Sequence, residues 1–406
     1  MSLATPPTPA PQATPVRIIG KSLLVVVALS ASIIAFLTAT IMLGAYFPAV
    51  PKAGVIGPVI GGQYPFHVAL LAGIGAALGC LVWRRGPARW GRALTAVTAL
   101  SAIAALVIGA VQFAAARDAG TRVSFGQVFS GLGPREDAAP DTTQVYATRD
   151  GERLEADVYR AKVSPGGKAP AVVLAHAGGF HTFDKSDLRG TGRWLADHGV
   201  TVLAVDYTLA TPARPTWDQA PHDLMAALGW AQEHADRYGI DPSRISLGGM
   251  SAGGTLAMNT AYRLQNGTLR ATDGPTPRPP HSVVGFYPGT DVRGMWEQDV
   301  AGTREAAELF TGGTPDDHPE RYREVSPTTD LREGLQRTLL VVGDRDRSAR
   351  PGTVKGFGAS LRDKGVDVTV KELPFAEHAF DDVYGSLTSQ TSRQILLDFL
   401  RTSASR

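Results

Sequence analysis

The sequence is nearly free of cysteine and lacks the common metal and nucleotide motifs. Cys80 is the single cysteine among 406 residues, which excludes an intrachain disulfide and a cysteine metal centre. Neither H-E-x-x-H nor G-x-x-x-x-G-K-[ST] occurs anywhere in the chain. We therefore expect no metal ion, nucleotide or other cofactor.

Acidic residues are missing from positions 1–117, where the eight charged residues are all basic. They are Arg17, Lys21, Lys52, Arg84, Arg85, Arg89, Arg92 and Arg117. Residues 118–406 hold all 38 acidic residues and the other 32 of the 40 basic ones, a net charge of −6. Nucleic-acid binding needs a clustered basic surface, so nucleic acid is not expected as a partner.

Three long apolar stretches without charged residues cover 22–44, 66–83 and 93–116. A helix of about 20 apolar residues spans a bilayer because its backbone polar groups are satisfied internally. Buried helices of a soluble domain are the alternative, but those helices carry a charged face that these stretches lack. We predict a membrane region over 17–117 with three transmembrane helices, after a disordered tail over 1–16 rich in Pro, Thr and Ala.

The basic residues also predict an orientation. Arg17 and Lys21 precede the first span, and four arginines crowd the loop between the second and third spans, whereas the loop between the first two has only Lys52. The positive-inside rule then places residues 118–406 on the extracytoplasmic side of the cell membrane. The first span is longer than a signal-peptide core. Cleavage near Ala49 stays open and would leave that placement unchanged.

From residue 143 onward, strand-like and helix-like segments alternate. Continuous apolar strands separated by helices indicate a mostly parallel central sheet with helices on both faces. An Asp150-Gly151 turn predicts an opening hairpin that adds an antiparallel edge. We therefore predict a linker over 118–142 and an α/β catalytic domain over 143–406, preceded by the all-α membrane region.

The predicted strands cover 144–149, 153–160, 171–175, 200–205, 244–247, 283–286, 338–342 and 366–372. The predicted helices cover 187–198, 217–238, 255–264, 354–364 and 389–400. The interval between the strands near Phe286 and Leu339 has no strand character. An insertion of that length often covers a binding site, although a surface excursion with its own packing is the alternative.

The motif G-x-S-x-G occurs at 249–253, with Ser251 at its centre. A strand over 245–247 precedes the motif and a helical run over 255–264 follows it, which is the strand–turn–helix setting of a nucleophile elbow. The start of that helix directs backbone N–H groups toward a developing oxyanion. The motif therefore predicts a nucleophilic serine.

A second glycine-bearing loop, His176-Ala177-Gly178-Gly179-Phe180, follows the strand over 171–175. Glycines let a substrate approach the backbone closely, so the N–H groups of Gly178 and Gly179 are candidate oxyanion donors together with that of Ala252. His176 is expected to hold this loop rather than to act in catalysis.

A nucleophilic serine needs a base and an acid that orients it. Only His378, of the nine histidines, follows the last predicted strand, where the Ser…Asp…His order of this architecture places the base. Two carboxylates, Asp344 and Asp346, compete for the role of acid in the loop after the strand over 338–342. We favour Asp346, which lies further along the loop toward the histidine.

Residues 143–403 resemble the hormone-sensitive-lipase-like carboxylesterases of the α/β-hydrolase superfamily. The motifs that carry the resemblance are HAGGF at 176–180, DYTLA at 206–210, GIDPSRISLGGMSAGGTLA at 239–257, SPTTDL at 326–331, GDRD at 343–346 and EHAF at 377–380. The resemblance implies an α/β-hydrolase fold and a cofactor-free esterase. It assigns Ser251, Asp346 and His378 to a catalytic triad, and Gly178, Gly179 and Ala252 to the oxyanion hole.

The chain departs from the family pattern in three places. Ala177 stands where the family has the first glycine of HGGG, and Met250 stands where an acidic residue is common before the nucleophile. The second departure bears on pocket polarity and substrate preference more than on the reaction. The N-terminal cap of the family is replaced by the linker and the membrane spans.

We therefore expect a membrane-anchored serine hydrolase that cleaves carboxylic esters through an acyl-enzyme. Its expected partners are a small-molecule or lipid-like ester and the membrane lipids. One alternative is a membrane acyltransferase that uses the same acyl-enzyme. Another is a catalytically silent interaction module, although such modules generally lose the serine or histidine. Whether the active site faces the bilayer, or the spans are a simple tether, stays open.

Overall fold

The computed structural model describes residues 15–162, 167–272 and 274–402. The chain divides into two compact units, Met1–Gly109 and Ala110–Arg406. The first four helices are α1 (Pro15–Tyr46), α2 (Ala53–Gln63), α3 (Pro65–Arg85) and α4 (Ala88–Asp118). The division falls within α4, so the last residues of this helix belong to the second unit.

Three helices of the described chain are long and apolar enough to cross a membrane: α1 over Lys21–Tyr46, α3 and α4. The helices of the first unit, α2 included, approach each other closely where a glycine removes a side chain. A Cβ on Gly57 would lie 2.3 Å from the backbone N of Ala45, and one on Gly75 would lie 2.6 Å from the Ile34 side chain. The short helix α2 was not expected from the sequence, because glycine and an internal Pro58 disfavour a helix.

The second unit is built on one eight-stranded sheet with the order β1-β2-β4-β3-β5-β6-β7-β8. The strands are β1 (Thr142–Arg149), β2 (Glu152–Tyr159), β3 (Ala169–Ala175), β4 (Thr201–Val205), β5 (Ile240–Met250), β6 (Ser282–Phe286), β7 (Arg337–Gly343) and β8 (Val368–Leu373). The hairpin β1–β2 and the pair β2–β4 are antiparallel, and the remaining pairs are parallel. The predicted α/β architecture is confirmed.

Nine helices of the described chain accompany this sheet. They are α5 (Phe125–Ser130), α6 (Arg189–Asp197), α7 (Gln219–Glu233), α8 (Ala252–Asn266), α9 (Val292–Gln298), α10 (Thr303–Thr311), α11 (Pro319–Val325), α12 (Pro351–Asp363) and α13 (Leu387–Thr402). The central strand β3 contacts α7 and α8 and also α13, while α6 packs against α13. Because α7, α8 and α13 all pack against β3, its residues 171–175 are all buried. Such burial is expected for a parallel strand inside a layered α/β domain.

The interval without strand character forms α9, α10 and α11. The ring of Phe310 on α10 stacks on Phe180 at the end of the HAGGF loop, with centroids 4.0 Å apart. A Cβ on Gly179 would lie 3.2 Å from Ala306 on the same helix. The insertion therefore packs against the loop that carries the candidate oxyanion donors.

Candidate active site

Ser251 occupies the one-residue turn between β5 and α8, with a positive φ of 51°. Positive φ is costly for a residue with a side chain, so the surrounding contacts must hold this conformation. A Cβ on Gly249 would lie 2.4 Å from Gly253, and one on Gly253 would lie 2.3 Å from the carbonyl oxygen of Ala175. Only glycine fits at these two positions, which explains the G-x-S-x-G spacing physically.

The structure brings Ser251, His378 and Asp346 into a continuous hydrogen-bonded line. The Oγ atom of Ser251 lies 2.8 Å from Nε2 of His378. On the other side of the imidazole, Nδ1 of His378 lies 2.9 Å from Oδ2 of Asp346. These are the contacts a serine needs to lose its proton to a base whose tautomer is fixed by a carboxylate.

The two competing carboxylates have different surroundings. Asp346 is buried, and its Oδ1 accepts hydrogen bonds from the backbone N–H groups of Ser348 at 2.9 Å and Ala349 at 2.7 Å. Asp344 instead lies beside Arg345, with 3.7 Å between Oδ1 and Nε, and burial raises the pKa of its carboxyl. Of these two, it is Asp346 that contacts His378.

The electrostatics around His378 favour its protonated form. Burial alone would lower the pKa of the imidazole, but the charge of Asp346 and the hydrogen bond to it outweigh that effect. The result is a pKa raised above the ordinary value of 6.5. A base of this kind holds a proton more readily than a free histidine, which suits a group that must receive one from serine.

Two residues beside the hydrogen-bonded line of Ser251, His378 and Asp346 were not predicted as site residues from the sequence. Glu377 is buried, and its Oε2 lies 2.8 Å from Nε of Arg347, while its Oε1 accepts from the N–H groups of Arg347 at 2.9 Å and His378 at 3.2 Å. Glu377 thereby ties the loop of Asp346 to the loop of His378. Tyr287 presents its ring edge-on to the imidazole, with centroids 4.6 Å apart.

The HAGGF loop is tightly folded around its glycines. Gly178 and Gly179 both have positive φ, 115° and 56°. The carbonyl of Gly178 accepts from the N–H groups of His181 and Thr182. No group in the described parts of the chain accepts from the N–H of Gly178, Gly179 or Ala252, so these donors stay available to a ligand.

His176 is buried at the base of this loop. Its ring stacks on Tyr207 with centroids 4.3 Å apart, and its Nδ1 lies 2.6 Å from the Ala177 carbonyl oxygen. Burial lowers the pKa of His176, so the neutral ring is favoured. These contacts hold the loop in place, and among the described residues His176 makes its hydrogen bonds to Ala177 and Tyr207 rather than to Ser251.

A cavity of about 240 Å³ adjoins the line of Ser251, His378 and Asp346. Its lining includes Met250, Ala177 and Ala379, the chain neighbours of Ser251, Gly178 and His378. The remaining lining residues are Pro134, Arg135, Phe183, Asp187, Leu188, Gly190, Thr191, Tyr287, Asp381, Asp382 and Tyr384. An apolar Met250 thus occupies the wall where the family commonly places an acid.

The linker supplies one wall of this cavity, which the sequence did not predict. Pro134 and Arg135 line it. The carbonyl groups of Gly131 and Gly133 accept from the N–H groups of Gly385 and Tyr384, both at 3.0 Å. These backbone bonds fix the linker beside the loop that follows His378.

The same region offers no evident metal centre. Among the residues that the structure describes, no three His, Cys, Asp or Glu side chains lie together as a metal site would require. The groups gathered at the site are a hydroxyl, an imidazole, a carboxylate and free backbone N–H donors. Together they define the class: an α/β protein with a serine-hydrolase type of site.

Comparison with known proteins agrees with that class. The profile of the alpha/beta hydrolase fold matches residues 172–382, so the chain belongs to the α/β-hydrolase fold family. This confirms the resemblance inferred from the sequence motifs. The match begins within β3 and ends after His378, so it includes the glycine loop, the serine turn and the histidine loop.

Individual relatives are esterases by name. The chain is 28% identical to Esterase LipC of Mycobacterium tuberculosis over 269 residues, covering 62% of each protein. It is 29% identical to Carboxylic ester hydrolase LipN of the same organism over 289 residues, which are 66% of this chain and 71% of LipN. The chain thus spans less than two thirds of the length of LipC.

A solved structure gives the same fold. The thermophilic esterase Est2 of Thermogutta terrifontis superposes with a TM-score of 0.54 at 20% identity, covering 70% of this chain and 96% of Est2. At that identity the likeness concerns the fold alone.

Proposed function

We propose that the protein is a membrane-anchored carboxylesterase that works through an acyl-enzyme on Ser251. The observation that carries the proposal is the hydrogen-bonded line from Ser251 Oγ through His378 to Asp346, with distances of 2.8 and 2.9 Å. The esterase relatives support the same reaction class.

In the first step, Ser251 Oγ attacks the ester carbonyl carbon while His378 Nε2 takes the hydroxyl proton. The Asp346 carboxylate holds the ring by Nδ1 and stabilises the imidazolium that forms. His378 then gives the proton to the departing alkoxide, which leaves as an alcohol. Water, deprotonated by the same imidazole, attacks the acyl-enzyme, and the carboxylic acid is released as Ser251 regains its proton.

The negative charge that develops on the carbonyl oxygen needs fixed donors. We assign this role to the N–H groups of Gly178, Gly179 and Ala252. Support comes from their availability as donors, and from contact between the two segments. The position of a Gly253 Cβ lies within 2.4 Å of both the Ala175 and His176 carbonyl oxygens, so the glycine loop starts directly beside the serine turn.

The reaction is tested by Ser251→Ala. We expect hydrolysis of p-nitrophenyl esters to fall by at least about 10⁴-fold, because no other group replaces the nucleophile. Labelling by a fluorophosphonate should disappear as well, while the thermal unfolding midpoint stays near that of the wild type. Retained labelling in this variant would overturn the assignment of Ser251.

We further propose that α1, α3 and α4 cross the cell membrane and that the catalytic domain lies on the extracytoplasmic side. The length and apolar character of the three helices support the first statement. Arg84 and Arg85 in the last turn of α3 support the second, since the positive-inside rule favours a cytoplasmic position for basic residues beside a span. A C-terminal alkaline phosphatase fusion should be active in cells and a fluorescent-protein fusion should stay dark; the reverse pattern would invert the orientation.

A further inference from the structure

A second cavity, of about 420 Å³, lies between the start of the linker and α13. Three arginines line it: Arg122 from the linker, and Arg393 and Arg401 from α13. None of the other described residues that line this cavity is acidic. This cluster of basic residues contrasts with the net charge of −6 over residues 118–406. We call this feature the arginine cavity.

Arg393 is a buried cation with no ion pair among the described residues: its guanidinium stacks on the Tyr384 ring at 3.9 Å, and the charge of Asp381 acts on it from beyond ion-pair distance. The Arg393 side chain is only 2% exposed. Two of its nitrogens donate to Ser389 Oγ at 2.6 Å and to the Tyr384 carbonyl at 2.9 Å, but its Nε has no hydrogen-bond partner among the described residues. Burial lowers the pKa of Arg393 to about 10. Burying a charge is costly unless an opposite charge or full hydrogen bonding compensates, so this guanidinium favours an anion nearby.

Three other polar groups of the arginine cavity also have unused hydrogen-bonding capacity: the guanidinium groups of Arg122 and Arg401 and the hydroxyl of Thr121. Arg401 donates to the backbone carbonyl of His198, and the cavity lining offers neither Arg122 nor Arg401 a carboxylate among the described residues. The hydroxyl of Thr121 is buried without a partner in the described chain. Guanidinium groups present several donors in a planar fork that matches phosphate oxygens. The arrangement therefore fits a phosphate monoester or diester.

We propose that the arginine cavity binds the phosphate headgroup of an anionic lipid. Position along the chain selects the lipid over a soluble phosphate. The helix α4, which we take as the third membrane span, ends at Asp118, and Arg122 follows four residues later. A chain extends at most about 3.6 Å per residue, so Arg122 stays within roughly 15 Å of the end of that helix. The headgroup region is about 5–8 Å deep on each side of the hydrocarbon core, so this limit lets Arg122 lie in that region or just outside it.

The test uses the full-length protein in detergent micelles and measures its thermal unfolding midpoint. Short-chain phosphatidylglycerol is titrated as the probe, with phosphatidylcholine of the same chain length and inorganic phosphate as comparison ligands. The informative variant is Arg122→Gln with Arg401→Gln, because both arginines are exposed and lie outside the proposed triad. The matched control is Arg362→Gln, an exposed arginine on α12 that likewise donates to a backbone carbonyl.

We expect phosphatidylglycerol to raise the midpoint of the wild type and of Arg362→Gln with the same apparent affinity. In the double variant that affinity should fall by about tenfold or more, because two charge-assisted contacts are lost. Equal affinity in the double variant, or equal response to phosphatidylcholine, would overturn the proposal. Inorganic phosphate binding as tightly as phosphatidylglycerol would overturn the lipid as the source.

Failure of this proposal is distinguishable from failure of the proposed esterase. The double variant leaves Ser251, His378 and Asp346 unchanged, so hydrolysis of a soluble p-nitrophenyl ester should match the wild type. If the double variant does not fold, Arg393→Lys provides a second reading, because it keeps the charge but removes the planar fork. Its affinity for phosphatidylglycerol should also fall, and an unchanged affinity would count against the cavity.

Discussion

The two units of the chain differ in their charged residues and in the exposure of their apolar side chains. The first unit has no acidic residue and leaves large apolar side chains exposed on its helices, among them Phe36 at 71%, Leu100 at 66% and Leu70 at 62%. The second unit buries its apolar side chains around an eight-stranded sheet and covers its surface with ion pairs.

This difference shows which kind of contact positions the structural elements of each unit. In the first unit, helices meet through small residues and backbone, as at Gly57 against Ala45. Close approach by small residues is the usual means of helix association in lipid, where water does not drive apolar surfaces together. In the second unit, carboxylates hold the candidate site: Asp346 on His378, and Glu377 on Arg347. Removing a charge should therefore damage the second unit, and adding one should damage the first.

The largest effect is expected for Asp346→Asn. An amide cannot stabilise an imidazolium and favours the wrong tautomer of His378, so kcat for a p-nitrophenyl ester should fall by about 10³- to 10⁴-fold. Asp344→Asn is the matched control from the same loop and should stay within a few fold of the wild type. If Asp344→Asn proved the more damaging change, the acid would have been assigned to the wrong residue.

Adding a charge to the first unit gives the next largest effect. Leu100→Asp places a carboxylate on an exposed apolar face of α4, which costs about 3 kcal/mol on insertion scales. The ratio of inserted to non-inserted 88–118 segment should fall by about 100-fold in a translocon insertion assay. Phe183→Asp in the second unit is the comparison, since Phe183 is 62% exposed there. The unfolding free energy of the Phe183→Asp variant should change by only about 0.5 kcal/mol. A penalty as large as that of Leu100→Asp would contradict the difference between the two units.

The sequence predicted those parts of the site that depend on local geometry. The turn at Ser251 requires small residues two positions on either side, so a short motif between a strand and a helix reveals it. The eight strands likewise follow from apolar runs and the hairpin turn, with ends shifted by a few residues. The helix expected over 217–238 spans Gln219–Glu233, and turn residues connect it to β5.

Features that depend on tertiary packing could not be read from the sequence. Glu377 meets Arg347 across 30 positions of chain, and no local pattern shows which acidic residue will pair with which arginine. Pro134 enters the cavity wall because backbone bonds fix the linker beside the loop after His378. Arg122, Arg393 and Arg401 look like isolated surface arginines until the fold places them around one cavity.

A smaller loss is expected for Glu377→Gln. The amide keeps the shape of the side chain but removes the charge that binds Arg347, so the loops of Asp346 and His378 are held less firmly. We expect kcat to fall by about tenfold, which corresponds to the loss of roughly one charge-assisted contact. KM for the ester should change little, since Glu377 is absent from the lining of the cavity beside Ser251. A rise in KM with unchanged kcat would contradict this positioning role.

The smallest effect is a shift of pH dependence. In the proposed mechanism the neutral form of His378 is the base, so activity should be lost as the pH falls through the pKa of the imidazole. Asp346 raises that pKa above 6.5, and we therefore expect the acidic limb of kcat/KM for an uncharged ester to have its midpoint above pH 6.5. In Asp346→Asn the raising charge is gone and burial alone lowers the pKa, so the midpoint of the residual activity should move to lower pH. An acidic limb that stays in place in Asp346→Asn would show that another group sets it.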